Sequence, residues 1–199
     1  MFHLHKKVPK KVAIAVSGGI DSMAALDFLR RNRDVIVLHY NHGTTYAPKA
    51  ESLVRSYCAA HKLELAVGTC DADIPNGVSK EAWWREQRYS FFAAATERKI
   101  VMAHHLDDVA ETWIFTALNG KPKLIPSERG NYIRPFLTTR KSAFTKWCNR
   151  KNVPFIEDPS NEDTKFMRNY IRHVLLPKAL AVNPGLHKVL KKNILSEQN

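Results

Sequence analysis

Short apolar runs alternate with longer segments of helical spacing between residues 12 and 118. Runs rich in Val, Ile, Leu and Ala are typical of buried strands, and apolar residues at every third or fourth position are typical of helices. This alternation predicts an α/β fold, in which a parallel sheet carries helices on both faces. We predict strands near 12–16, 35–40, 63–67 and 100–103, and helices near 22–31, 48–61, 79–98 and 106–118.

The remaining segments are predicted from their turn residues and their helical periodicity. We expect residues 1–155 to form one α/β domain, and residues 156–199 to be a C-terminal segment and helical extension of that domain. The basic end of the chain, 188–199, is expected to fray. We predict loops at 71–77 and 119–135, a helix at 138–151, an extended stretch at 153–156, and a last helix at 164–181 that Pro177 interrupts.

The first predicted strand leads directly into a glycine turn and the start of a helix. Glycine lets a backbone approach a ligand closely, and successive N–H groups of such a turn bind anions. The helix N-terminus adds free N–H groups and the positive end of its dipole. The turn therefore predicts a site for nucleotide phosphates, the alternative being an ordinary strand–turn–helix with a serine cap. Its residues are Ser17, Gly18, Gly19, Ile20, Asp21 and Ser22.

Asp21 adds a metal ion to this prediction. A carboxylate beside a phosphate is repelled unless a cation lies between them, and Mg²⁺ is the usual cation. The turn is not a Walker A motif, because no lysine follows its glycines, and it is not Gly-x-Gly-x-x-Gly.

A second group of ionisable residues follows the fourth predicted strand: His104, His105, Asp107, Asp108 and Glu111. If a helix begins near His104, the first histidine and the three acids share one helical face. Clustered acids repel one another, and a substrate cation or Mg²⁺ relieves that repulsion. The alternative is the acidic first turn of a solvated helix, with the histidines as caps.

Two pairs of arginines have helical spacing, Arg85 with Arg88 and Arg168 with Arg172, and Asn169 lies beside the second pair. Guanidinium groups match both phosphate and carboxylate, so these residues are candidates for holding a polyanion or a substrate carboxylate. The alternatives are a surface ion pair of Arg85 with Glu81, and exposed arginines on a helix capped by Ser160 or Asp163.

The predicted topology brings three segments together. Ligands of parallel sheets bind beyond the carboxyl ends of the strands. The glycine turn, Asn41-His42-Gly43 and His104-His105 all follow predicted strands. We therefore expect them to converge on one site.

Composition narrows the class of partner. Lys and Arg number 31 against 19 Asp and Glu, which gives a formal net charge of +12 and suits RNA or DNA, the alternative being a solvated basic surface. Three widely spaced cysteines form no Cys-x-x-Cys, which indicates free thiols in a reducing cytoplasm and no zinc or cluster site. No apolar run is long enough for a membrane span, and the N-terminus has no signal-peptide core.

The order of these motifs resembles one enzyme family. The blocks at 17–22, 41–43, 81–89 and 104–112 are followed by Arg134-Pro135-Phe136-Leu137 and by the segment 157–177. Together they resemble the tRNA(Ile)-lysidine synthases, N-type ATP pyrophosphatases of the PP-loop superfamily, over residues 10–185. The last block is the most specific for that family. The resemblance implies a Rossmann-like PP-loop fold, and a short form without the C-terminal tRNA-binding domains of many members.

The resemblance also implies a reaction. ATP adenylates the C2 carbonyl oxygen of the wobble cytidine in a tRNA(Ile) with a CAU anticodon, and pyrophosphate leaves. The side-chain amine of free L-lysine then displaces AMP to give lysidine. The protein is expected to be a cytoplasmic ligase that uses ATP and Mg²⁺.

Roles for individual residues follow from the same resemblance. The turn at 17–22 binds ATP, and Asp21 holds Mg²⁺. Asp107 or Asp108 binds the lysine ammonium or removes its proton, and His104 and His105 stabilise charge on the adenylated cytidine. The tRNA and lysine contacts are assigned to Arg85, Arg88, Glu111, Arg168, Asn169 and Arg172.

Three alternative functions remain at the level of sequence. One is another RNA-directed PP-loop enzyme such as a tRNA 2-thiocytidine synthetase, although such enzymes use Cys-x-x-Cys pairs that this chain lacks. A small-molecule adenylating enzyme on the same fold is the second. The third is a non-catalytic tRNA-binding derivative.

Overall fold

A computed structural model describes residues 2–70 and 74–196 of the chain. The side chains of Glu81 and Ser160, and part of the loop predicted at 71–77, lie outside the described residues. The Glu81–Arg85 ion pair and the Ser160 cap therefore stay predictions. Among the described residues, no helix combines the length and apolarity needed to cross a membrane.

The described residues form a six-stranded sheet with strand order β3-β2-β1-β4-β6-β5. All neighbouring strands are parallel except β5 and β6, which form an antiparallel edge. The predicted parallel α/β fold is thus confirmed. The strands are β1 Lys11–Ala15, β2 Asp34–Asn41, β3 Glu64–Thr69, β4 Ile100–Val101, β5 Glu128–Arg129 and β6 Tyr132–Ile133.

Helices cover both faces of the sheet because the strand residues alternate in direction. In β1, Val12 and Ile14 face a core shared with α1, α2 and α5, whereas Ala13 faces the opposite core with Phe92 of α3. The helices are α1 Ile20–Arg30, α2 Ala47–Ala60, α3 Lys80–Ala95, α4 Leu106–Leu118, α5 Lys141–Lys151, α6 Met167–Tyr170, α7 Leu176–Val182 and α8 Leu186–Ser196.

The structure corrects two predictions near the end of the chain. Residues 119–135, predicted as a loop, contain the β5–β6 hairpin. The predicted last helix begins only at Met167, and it is interrupted by a π-helical turn, Ile171–Leu175, before Pro177 rather than at it.

Residues 188–196 of the basic end pack as a helix instead of fraying, and residues 197–199 lie outside the described residues. Leu186, Leu190 and Ile194 of α8 are buried in a core with Val109 and Ile114 of α4. Their spacing of four residues places them on one helical face. This contact supports the helix that carries the acidic motif.

Candidate active site

The glycine turn is held by its own serines. It lies between β1 and α1, where the Ser22 hydroxyl donates to the Gly19 carbonyl at 2.9 Å and accepts the Ser17 N–H at 3.2 Å. Gly18 has φ +89°, and a Cβ there would lie 3.3 Å from Cβ of Ala50. The turn thus requires glycine at position 18, and the hydrogen bonds of its serines hold its shape.

A cavity of about 560 Å³ opens beside this turn, at the carboxyl ends of β1, β2 and β4. It brings together the three segments that the topology predicted to converge. Among the residues that line it are Ser17, Gly19, Asp21, Ser22, His42, His104 and Asp108.

Asp21 suits a divalent cation. Its side chain is 31% exposed, and its Oδ1 atom is buried with no hydrogen bond to any described residue. Within the described residues no lysine or arginine lies within 4 Å of this carboxylate, and no group of three His, Cys, Asp or Glu side chains can hold a metal by itself. Mg²⁺ is commonly held by one or two carboxylates together with substrate phosphates, so the residues present fit a metal that arrives with a nucleotide.

The two histidines after β4 have different environments. His104 lines the cavity, and its buried Nδ1 has no hydrogen bond to a described residue. Burial lowers its pKa to about 4. The ring is therefore neutral at pH 7 and can donate or accept one hydrogen bond.

His105 is only 2% exposed and does not line the cavity. Its position disfavours the direct contact with substrate expected from the sequence. Burial lowers its pKa, but the carboxylates of Asp108, Asp21 and Asp107 outweigh burial, and the net shift is upward.

The prediction of one shared face assumed a helix that begins near His104, and in the structure the three acids of α4 have different partners. The helix begins at Leu106, with His105 as its N-cap. Asp107 does not line the cavity: it accepts the backbone N–H of Lys141 at 2.8 Å and lies 3.3 Å from Nε2 of His187 on α8. These contacts lower the pKa of Asp107 although burial raises it. Asp107 joins the starts of α4, α5 and α8, which makes it a poor candidate for binding substrate.

Glu111 forms a buried ion pair with Arg172. Its carboxylate, 3% exposed, receives two hydrogen bonds from that guanidinium, at 2.7 and 3.0 Å. Arg172 also lies 3.7 Å from Asp108, which lines the cavity. The Glu111 carboxylate raises the pKa of Arg172. Asp108 and Glu111 thus together bind a cationic group, the guanidinium of Arg172, at the edge of the cavity.

The other proposed anion-binding residues are dispersed. Arg88 lines the cavity, where burial lowers its pKa and its Nε has no hydrogen-bond partner among the described residues. Arg85 lies over the ring of Tyr89, and Arg168 over that of Phe115. Only Arg88 of these three lines the cavity.

Asn169 and the preceding acidic turn have a local structural role. The side-chain amide of Asn169 donates to the Asp163 carbonyl at 3.0 Å. Nearby, the backbone N–H of Ile156 donates to the carbonyl of Gly18 at 3.0 Å, and Asn161 lines the cavity. The segment after α5 therefore fastens to the glycine turn and closes one side of the site.

Sequence reasoning missed several cavity residues. His39 of β2 is buried, with Nδ1 2.8 Å from the Val16 carbonyl and an unpaired Nε2. Trp84 of α3 lies beside His42, with ring centroids 5.4 Å apart. His39 belongs to a strand of mostly apolar residues, so no motif in the sequence marks it as a cavity residue. Trp84 lies inside the 81–89 block, which is the signal that could have identified it.

Comparison with known proteins places this arrangement in a family context. A protein-family model described as a PP-loop domain matches residues 2–179. The chain is 32% identical over 192 residues to a tRNA(Ile)-lysidine synthase of Thermotoga sp. (strain RQ2), covering 87% of this chain and 46% of that protein. It is 29% identical over 212 residues to a tRNA(Ile)-lysidine synthase of Francisella tularensis subsp. novicida (strain U112), covering 98% and 53%. The resemblance found in the motifs is confirmed, and the chain spans about half the length of the curated relatives it matches.

Solved structures support the same fold. The NH3-dependent NAD synthetase from Campylobacter jejuni subsp. jejuni NCTC 11168, in complex with the nitrate ion, matches with a TM-score of 0.53 and 16% identity. The match covers 96% of this chain and 86% of that one. At this identity the likeness concerns the fold alone.

Proposed function

Because this chain belongs to the PP-loop domain family, we propose that it cleaves ATP to AMP and pyrophosphate and uses the energy to form lysidine on a tRNA. In the first step, the C2 carbonyl oxygen of the wobble cytidine attacks the α-phosphorus of ATP, and pyrophosphate leaves. In the second step, the ε-amine of free lysine attacks C2, loses a proton, and AMP leaves. The relatives are named tRNA(Ile)-lysidine synthases, and the resemblance of the motifs implies a tRNA(Ile) with a CAU anticodon as the substrate.

The observation that carries this proposal is that one cavity is lined both by the glycine turn, which suits phosphates, and by Asp108, which suits a cation. Ser17, Gly19 and Ser22 line one side, and Asp108 lines another. Adenylation requires a site for the phosphates of ATP, which the turn offers, and binding of a cationic amine requires a carboxylate, which Asp108 offers. An anion-binding turn alone would suit many nucleotide-binding proteins.

The residues of the turn bind and orient ATP. The backbone N–H groups of the glycine turn and the start of α1 hold the phosphates, and Asp21 holds Mg²⁺. When bound, Mg²⁺ neutralises charge that develops on the leaving pyrophosphate. His104 is neutral because burial lowers its pKa to about 4. It donates a hydrogen bond to the cytidine ring or accepts one from it.

The lysine side chain is assigned to Asp108 and Glu111. A lysine ammonium must lose a proton before it can attack, so a nearby base is required. Asp108 lines the cavity and is the better candidate for that base, since Glu111 is buried behind it and paired with Arg172. Arg172 balances the charge of the two acids through its contacts with Asp108 and Glu111, and we assign the carboxylate of the lysine substrate to it.

The tRNA is assigned to the basic surface and to Arg88. The net charge of +12 favours a polyanion. Arg88 has a buried, unpaired Nε at the cavity, and a phosphate or base oxygen would satisfy it. Arg85 and Arg168 are exposed and suit weaker backbone contacts.

A transfer assay tests this proposal. The protein is incubated with ATP, radiolabelled lysine and tRNA transcripts that differ only at the wobble base. We expect label on the CAU transcript alone, with one pyrophosphate released per lysine joined. Pyrophosphate release that needs no RNA contradicts the proposal and indicates a small-molecule adenylating enzyme, while tRNA binding without pyrophosphate release indicates a non-catalytic protein.

Two variants connect the assay to the site. Asp108→Asn keeps the size of the side chain but removes the base, and we expect lysine transfer to fall about 100-fold or more. Asp163→Asn is the matched control, because Asp163 is also an acid near a helix start but does not line the cavity. Full lysine transfer by Asp108→Asn excludes this residue as the base.

A further inference from the structure

We propose that His105 is a positioning residue that orients the Asp21 carboxylate toward the divalent cation accompanying ATP. The inference rests on the proposed use of ATP and a metal ion, but it does not depend on lysine or tRNA. It assigns His105 a role different from the substrate contact expected from the sequence.

Burial is the first observation. His105 is 2% exposed and packs against Phe144, with ring centroids 5.6 Å apart. A side chain enclosed in this way does not reach a substrate in the cavity. It can act only through the groups that it touches.

The hydrogen bonds of His105 fix which ring nitrogen faces Asp21. Its Nδ1 accepts the backbone N–H of Asp108 at 3.2 Å, and its own backbone N–H donates to the Asp108 carboxylate at 2.9 Å. This reciprocal pair is a capping box that starts α4. Because Nδ1 accepts in this capping box, Nε2 carries a proton, and that proton faces Asp21.

Nε2 lies 3.5 Å from Oδ1 of Asp21. That distance is long for a hydrogen bond, and Oδ1 accepts no hydrogen bond from the described residues. Contacts of catalytic groups are often long in one state and shorten in the substrate complex. Held through Oδ1, the carboxylate presents its other oxygen to the cavity.

The imidazole thus connects two motifs that are remote in sequence. One nitrogen caps the helix that carries Asp108, and the other faces the carboxylate that binds the cation. Outer-shell hydrogen bonds to metal ligands typically change metal affinity or activity by about 10–100-fold. This gives the second histidine of the motif a task that the first does not share.

Two amide substitutions separate the two nitrogens. Asn places its amide near the position of Nδ1, so His105→Asn keeps the cap, for which Asn is among the best residues, but does not reach Asp21. Gln places its amide near the position of Nε2, so His105→Gln keeps the contact with Asp21 but loses the cap. The pair therefore tests each contact while the other is present.

The measurement is Mn²⁺ binding to the full chain with a non-hydrolysable ATP analogue, followed by electron paramagnetic resonance, together with the thermal midpoint. For His105→Asn we expect about 10–100-fold weaker Mn²⁺ binding and a nearly unchanged midpoint. For His105→Gln we expect Mn²⁺ binding near wild type and a midpoint lower by about 1–8 °C. Phe144→Leu is a control that loosens the packing around the ring, and it should lower the midpoint with Mn²⁺ affinity unchanged.

Three results overturn the inference. The first is Mn²⁺ binding by His105→Asn that equals wild type. The second is a loss of Mn²⁺ binding that follows the thermal midpoint across all three variants, which indicates a purely structural role. The third is a wild-type complex with the ATP analogue that takes up no Mn²⁺. Failure of lysine transfer to tRNA leaves these measurements unaffected, so the two proposals fail separately.

Discussion

Removing the guanidinium of Arg172 should destabilise the protein more than removing its partner. In Arg172→Met, the Glu111 carboxylate stays 3% exposed and loses both hydrogen bonds. An uncompensated buried charge of this kind costs about 3–5 kcal/mol. For a chain of this length, that loss lowers the thermal midpoint by about 6–20 °C.

The reverse substitution should cost less. In Glu111→Met, Arg172 keeps a carboxylate 3.7 Å away on Asp108, and its side chain is 29% exposed. We expect a loss of about 1–2 kcal/mol. The double variant replaces the whole pair by apolar groups, and such replacements are often close to neutral. It should therefore be more stable than Arg172→Met alone.

Urea unfolding of the four proteins, followed by circular dichroism and tryptophan fluorescence, measures these differences. The double-mutant cycle isolates the coupling between the two residues. If the two single losses simply add in the double variant, the buried-pair reasoning is wrong. Lysine transfer gives an independent readout, because a double variant that regains stability still lacks Glu111 and should not regain transfer.

Three further predictions concern the turn, the core and the surface. Gly18→Ala adds a Cβ that lies 3.3 Å from the Cβ of Ala50, at a residue with φ of +89°. The resulting strain of about 1–3 kcal/mol should weaken ATP binding measured by calorimetry. Gly120→Ala is the control, because Gly120 also has a positive φ but lies in open space, and it should leave ATP binding unchanged. Asp27 is buried, and although burial raises its pKa, hydrogen bonds from Tyr57 and other donors lower it overall. Its contribution to the free energy of unfolding is present at neutral pH and is lost as the pH falls through the lowered pKa, so the difference in stability between wild type and Asp27→Asn, measured in urea, should narrow below about pH 4. A difference that does not change with pH contradicts this reasoning. The net charge of +12 predicts that tRNA affinity in filter binding falls at least ~10-fold between 50 and 200 mM salt, and an affinity independent of salt argues against phosphate contacts.

The parallel sheet and the glycine turn could be predicted from sequence because their signals are local. A buried parallel strand needs an apolar run, and the turn after β1 needs glycine at position 18, where φ is +89°. The apolar spacing predicts a helix at 106–118, and the structure has it at Leu106–Leu118. Convergence of the three loops followed from topology, since parallel strands end at one edge.

The β5–β6 hairpin and α8 escaped prediction for different reasons. Each strand of the hairpin has two residues, which is too short for a periodic pattern. The end of the chain does show apolar residues four apart, at Leu186, Leu190 and Ile194. The many lysines between these apolar residues favoured the prediction of a fraying end over that of a packed helix. Only the contact with α4 shows that the apolar face is buried.

The sequence by itself determined which chemical groups are present: a phosphate turn, two histidines and three acids that follow a strand. Only the tertiary structure decided which of them meet. Asp107 and Asp108 are adjacent in sequence, yet successive residues of a helix point about 100° apart. Asp108 therefore lines the cavity, while Asp107 meets Lys141 and His187. Those partners come from other elements, so the sequence of the motif does not contain the information that separates the two acids.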